Sequence, residues 1–151
     1  MKAKTLGAWL LTGLLAWLLA AGAQAQQYER VGNYQIHYSA INTSFLTPEV
    51  AAAYDIQRSQ VMALLNISVL EEQEDGTTRP ANAWVSGRVG NLAGQTQNLA
   101  FRTVRDGEAI YHLATFRIQE DEPMRFELEV GYDRNADPAQ VGFMQRFYID
   151  R

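Results

Sequence analysis

Cysteine is absent from this 151-residue chain, and lysine is confined to Lys2 and Lys4. The first absence removes disulfide staples, so an apolar core must carry stability, and it removes the cysteine that anchors a bacterial lipoprotein. The second removes a Schiff-base nucleophile, a phosphate-loop lysine and a lysine general base from the chain beyond residue 4. Histidine occurs twice, as His37 and His112. Zinc sites usually draw at least two ligands from one local motif, and the two imidazoles stand far apart on separate predicted strands. No Gly-x-Ser-x-Gly elbow marks a serine nucleophile.

What is there begins with an export signal. Lys2 and Lys4 precede an apolar stretch from Leu6 to Ala21, and Ala23-Gln24-Ala25 follows with the small-x-small order of a cleavage site. This predicts a signal peptide over residues 1–25, cut before Gln26, and a periplasmic mature protein. The apolar run approaches the roughly 20 residues that span a bilayer, but no positive stop-transfer flank follows it, so no membrane span is expected after cleavage. The remainder, 26–151, then carries 11 arginines against 17 carboxylates, a net charge of −6. Phosphate backbones require a concentrated positive surface, so a nucleic-acid partner is not expected. The length left after cleavage suffices for one core and is too short for two.

From Tyr34 onward apolar residues recur at every second position, the period of a half-buried strand. Tyr34, Ile36 and Tyr38 form a first strand; Val61, Ala63, Leu65, Ile67 and Val69 share one face of the next, with Met62, Leu64 and Leu70 on the other. Apolar residues on both faces place that strand centrally. Further strands are expected from Ala83 to Val89, Leu99 to Thr103, Ile110 to Ile118, Phe126 to Tyr132 and Phe143 to Ile149. Asp106-Gly107 reads as a hairpin turn with positive φ at both residues. The fold class expected is all-β: an antiparallel immunoglobulin-like sandwich of about seven strands. Thr47 to Tyr54 predicts one short helix between the first two strands, from a capping threonine and proline at the first helical position.

Few residues offer chemistry. Asp133-Arg134-Asn135-Ala136-Asp137 imitates the opening of a calcium-binding hand, but Pro138 stands where that loop needs glycine and Met144 where it needs glutamate. The acidic runs Glu71 to Asp75 and Glu120 to Glu122 read as solvated loops. The candidate binding residues are Asn42, Thr43, Ser44, Phe45, Arg58, Ser59 and Asn66, a set dense in specific hydrogen-bonding groups. They predict either a pocket at one end of the sandwich or a structural set in which Asn42, Thr43 and Ser44 cap the helix and Asn66 satisfies a bulge. The structural assignment is the more economical.

The run from His37 to Leu70, HYSAINTSFLTPEVAAAYDIQRSQVMALLNISVL, resembles the core motif of a family of small exported bacterial proteins, domain of unknown function 4426. The likeness continues through Asn91-Leu92, Leu99 to Phe101, Ala109-Ile110-Tyr111 and Gln145-Arg146-Phe147-Tyr148. It implies a periplasmic β-sandwich and brings no catalytic residue to transfer. Asp55 stands where the family carries glycine before Ile56. The expectation is a non-enzymatic periplasmic binding or accessory protein without a cofactor, whose partner is a protein or small ligand of the cell envelope. It would be reached by strand addition at a sheet edge or by a pocket around Asn42 to Leu46 and Arg58. The rivals are a hydrolase or metal-dependent enzyme using His37 or His112, and a structural envelope component.

Overall fold

Alternating β-branched, leucine and aromatic residues drive the chain into two antiparallel sheets in the computed structural model, which describes residues 27–149. The predicted signal peptide lies outside those residues. Sheet A takes β1 (Tyr28–Val31), β2 (Tyr34–Asn42), β3 (Met62–Glu72), β8 (Ala109–Arg117) and β7 (Arg102–Asp106) in that spatial order, with the short β4 (Thr78–Pro80) paired to the far end of β3. Sheet B takes β10 (Ala139–Phe147), β9 (Glu122–Gly131), β5 (Trp84–Asn91) and β6 (Thr96–Asn98).

The seven longest strands answer to the seven expected. The three additional ones, β1, β4 and β6, are four residues or fewer and too short to display a period. Two boundaries differ from expectation. Leu99 to Phe101 is an irregular crossing in which the Leu99 N–H donates to the Gly87 carbonyl (2.9 Å), and β7 begins only at Arg102. The last strand starts at Ala139, directly after Pro138, rather than at Phe143.

The two faces of β3 meet different surroundings. Ala63, Leu65, Ile67 and Val69 point into the sandwich, where Phe116, Phe126 and Phe147 pack edge to face with centroids 5.2–6.2 Å apart. Phe126 also stacks on Phe143 at 4.4 Å, and Phe143 on Tyr38 at 4.3 Å. Leu64, on the opposite face, belongs to a second cluster with Leu46, Val50, Tyr54, Tyr111 and Leu113. That cluster exists because a short α-helix, α1 (Pro48–Ala53), lies over the outside of sheet A.

The ends of α1 are chemically specified. The Thr47 hydroxyl accepts from the Val50 N–H at 3.2 Å, and Pro48 occupies the first turn where no amide partner is needed. At the other end the Ile56 N–H donates to the Ala51 carbonyl (2.7 Å) and the Asp55 N–H to the Ala52 carbonyl (3.2 Å). This is a Schellman closure, which requires a left-handed residue at its hinge, and Asp55 supplies it at φ +54°. The glycine turn expected from the family likeness is therefore kept in shape with aspartate in place.

The β7–β8 turn needs a correction. Asp106 pairs with Ala109, so the loop is Gly107-Glu108, and only Gly107 has positive φ (+60°). Asp106 is thus the last strand residue, free to use its carboxylate elsewhere.

Candidate functional site

The candidate residues of the helix connection gather into one knot. Thr43 is fully buried; its hydroxyl accepts from the Ser59 N–H (2.8 Å) and directs its proton toward the carbonyls of Ser59 (2.9 Å) and Met62 (3.1 Å). Arg58 donates to the Ser44 carbonyl at 3.0 Å, and the Ser59 hydroxyl accepts from the Val61 N–H at 3.2 Å. Thr43, Ser44, Arg58 and Ser59 therefore clip the incoming and outgoing ends of the helical excursion together. Asn42 shares the inward face with Ala63 and donates to the Tyr148 carbonyl at 2.6 Å. Phe45 is 54% exposed beside Tyr148, over a shallow cavity of about 230 Å³. Asn66 stands apart on β3, buried, with its Oδ1 unpartnered.

What the clip builds is a wall. Residues 55–61 run from the helix back to β3 and stand over the outer face of sheet A, enclosing with it a half-open cleft of about 630 Å³. Its floor is set by register. Met62 opposes Arg117, Leu64 opposes Thr115 and Asn66 opposes Leu113, and opposed residues share a face. Val61, Met62 and Ala100 supply the accessible apolar bed over the buried Leu64 and Leu113, while Thr115, Arg117 and Arg102 add polar groups along β8 and β7. Asp55, Gln57 and Ser59 face them from the wall.

Two further contacts fix the geometry. Arg102 donates through Nη2 to the Tyr54 carbonyl and to the Asp55 carbonyl (3.3 Å), joining β7 to the helix C-terminus, where the backbone dipole is negative. The Tyr54 hydroxyl donates to Asp106 at 2.8 Å. Burial first, and then that carboxylate, push the Tyr54 phenol far above its ordinary range, so it remains a neutral donor. Arg117 is held through its backbone: its N–H donates to Gln97 Oε1 and its carbonyl accepts from Gln97 Nε2, both at 2.9 Å. Its guanidinium has no hydrogen-bond or ion-pair partner among the described residues, although Glu122 borders a neighbouring cavity with it.

The histidines do not meet. His37 opposes Ser68 on β3 and His112 opposes the adjacent Ile67, so they project from opposite faces of one sheet. His37 stacks on Tyr28 at 4.9 Å with Nε2 2.9 Å from Gln35 Oε1. His112 is buried inside the sandwich with Nδ1 3.0 Å from the Thr103 hydroxyl and Nε2 unpartnered. Burial lowers both imidazole pKa values, and Arg105 adds to the effect at His112. The calcium-like stretch is a turn in which the Asp133 side chain accepts from the Asn135 N–H (3.0 Å). Among the described residues no group of three or more His, Asp or Glu side chains could hold a metal ion, and no helix is long and apolar enough to cross a membrane.

Arg102, Thr115 and Arg117 were not among the candidates read from the sequence. A signal was nevertheless present: Tyr111 and Leu113 are apolar on the face opposite His112, Ala114 and Phe116, which implies a cover, and Thr115 and Arg117 continue that face in polar form.

The family model for the domain of unknown function DUF4426 matches residues 28–150. A DUF4426 family protein from Pseudomonas aeruginosa superposes with a TM-score of 0.72 at 31% identity, over 85% of this chain and 98% of that one. A copper-bound variant of FetP from uropathogenic Escherichia coli aligns at TM-score 0.57 and 11% identity, over 84% of this chain and 92% of FetP. A copper-bound variant of Campylobacter jejuni P19 aligns at 0.50 and 8%, over 81% and 94%. At such identities the last two share the fold. No curated protein matches the sequence.

Proposed function

This chain belongs to the DUF4426 family, and we propose that it is a non-enzymatic binding or accessory module of the periplasm, exported by cleavage before Gln26, with the outer-face cleft as its ligand site. The observation that carries the reading is the cleft itself. Its volume of about 630 Å³ lies within the range of small-molecule sites, with an apolar bed and a few fixed polar groups. Its wall is tied down by the Thr43 knot, the Schellman closure and the Arg102 contact, which is the preorganisation that binding favours.

The hydrolase reading has less support. A base and a nucleophile must lie within hydrogen-bond reach of a shared substrate, whereas His112 is enclosed in the core and His37 faces the other way. Copper, held by the FetP and P19 variants in their solved structures, calls for converging imidazole and thioether donors. Here the two imidazoles diverge across the sheet. Met62 shares an outer face with His37 but lies six positions along β3 from His37's partner Ser68, roughly 20 Å at strand rise. The donor set does not fit that metal.

Two measurements test the proposal together. N-terminal sequencing of the protein released from the periplasm should begin at Gln26. A photoreactive residue at Thr115 should capture a defined envelope component, with capture reduced by Arg58→Ala in a variant that still folds. Retention of residues 1–25, or capture indistinguishable from that by a probe on the outer face of sheet B, would remove it.

A further inference from the structure

Resting on the cleft as the ligand site, we propose that its ligand is an amphipathic oxyanion, a carboxylate or phosphate monoester on an apolar tail, whose head pairs with Arg117 while the tail lies along Val61, Met62 and Ala100. The charge pattern points there. Arg30, Arg79, Arg88 and Arg146 form ion pairs with carboxylates at 2.7–2.8 Å, and Arg58, Arg102 and Arg105 donate to carbonyl or amide oxygens. Of the arginines left without a partner among the described residues, Arg117 alone lines the large cleft. Its strand position is pinned by both Gln97 bonds, so a side chain fixed at its root presents five N–H donors to an otherwise unclaimed space. Arg102 adds a second positive charge on the same side, against the single carboxylate of Asp55 on the wall. A local excess of positive charge in a chain of net charge −4 selects anions at this place and repels them elsewhere. The accessible apolar lining, Val61, Met62 and Ala100, is hydrocarbon and thioether, which a wholly polar anion would leave in contact with water. Guanidinium geometry suits carboxylate and phosphate alike, so the shared chemistry is the oxyanion head.

Isothermal titration of the mature protein with decanoate, decyl phosphate, decan-1-ol and decyltrimethylammonium at physiological ionic strength tests this. At least one oxyanion should bind about tenfold more tightly than the alcohol and the cation. Arg117→Gln should shrink that preference to about threefold or less with an unchanged melting midpoint, while Arg125→Gln, on the outer face of sheet B, should preserve it. Thr115→Trp, which fills the cleft, should abolish binding of every probe. Binding of decan-1-ol as tight as that of the anions, yet lost in Thr115→Trp, would overturn the headgroup assignment and leave the cleft reading intact. An anion preference untouched by Arg117→Gln would do the same. Binding that persists in Thr115→Trp, or no binding of any probe, would overturn both.

Discussion

The two faces of β3 follow from one alternating sequence and are covered in different ways. Inward, Ala63, Leu65, Ile67 and Val69 meet the second sheet and are sealed. Outward, Leu64 is covered by the helix cluster and Asn66 and Ser68 are buried as well, so that only Met62, at the start of the strand, stays half-buried on the floor of the cleft. A sheet packed on a sheet excludes water along its whole length; a short helix cannot. The uncovered end is where polar groups can stand beside an apolar bed, and that combination makes a ligand site.

The contrast can be broken from the inside first. Phe126 is fully buried and touches three other phenylalanine rings. Phe126→Ala should cost about 3–5 kcal/mol, read as a denaturant midpoint. A loss under 1 kcal/mol would mean that the inner face is not the principal source of stability.

The outer wall should be cheaper to loosen and should matter more to binding. Thr43→Val removes a fully buried hydroxyl and leaves the Ser59 amide without its acceptor, a loss of about 1–3 kcal/mol. Ligand affinity should fall with it, since the 55–61 wall loses its clip. A stable Thr43→Val protein with unchanged affinity would separate the wall from the site.

Acid should act on the inner face through His112. Its folded pKa is lowered by burial, so above about pH 6.5 both folded and unfolded forms are neutral and no penalty arises. As pH falls through that value the unfolded chain takes up the proton first, and stability declines. His37, also lowered, contributes in the same direction. Melting midpoints measured from pH 7 to 5 should fall less steeply in His112→Gln than in the parent, and parallel curves would place the acid sensitivity elsewhere.

The smallest effect should be a gain. Asp55 holds a left-handed conformation that costs a side chain more than it costs glycine, so Asp55→Gly should stabilise by about 0.5–1 kcal/mol. Destabilisation would show that the aspartate carboxylate contributes more at the wall than its backbone strain removes.

The inner face was legible because it repeats. Period-two alternation in Ala63 to Val69 and in Phe126 to Tyr132 states which side is buried, whatever the partner sheet. Thr47-Pro48 likewise announced the helix. The site was less legible, because it is made of register and not of motif. Arg117 enters the cleft only because β8 pairs with β3 so that Arg117 opposes Met62, and no local pattern encodes that pairing. Thr43 and Ser59 were visible as polar residues, but their mutual hydrogen bonds depend on how the chain closes after sixteen residues. Asp106 read as a turn residue, and its bond to Tyr54 appears only once the hairpin loop is known to be Gly107-Glu108.

The most direct test follows backbone amide shifts of the isotopically labelled mature protein during titration with decanoate. Saturable shifts concentrated at Gln57 to Met62, Arg102 and Leu113 to Arg117, with Phe126, Leu128 and Phe147 unmoved, are the expected result. Saturable shifts centred on Phe45 and Tyr148, or none at all, would contradict the outer-face cleft as the working surface of this protein.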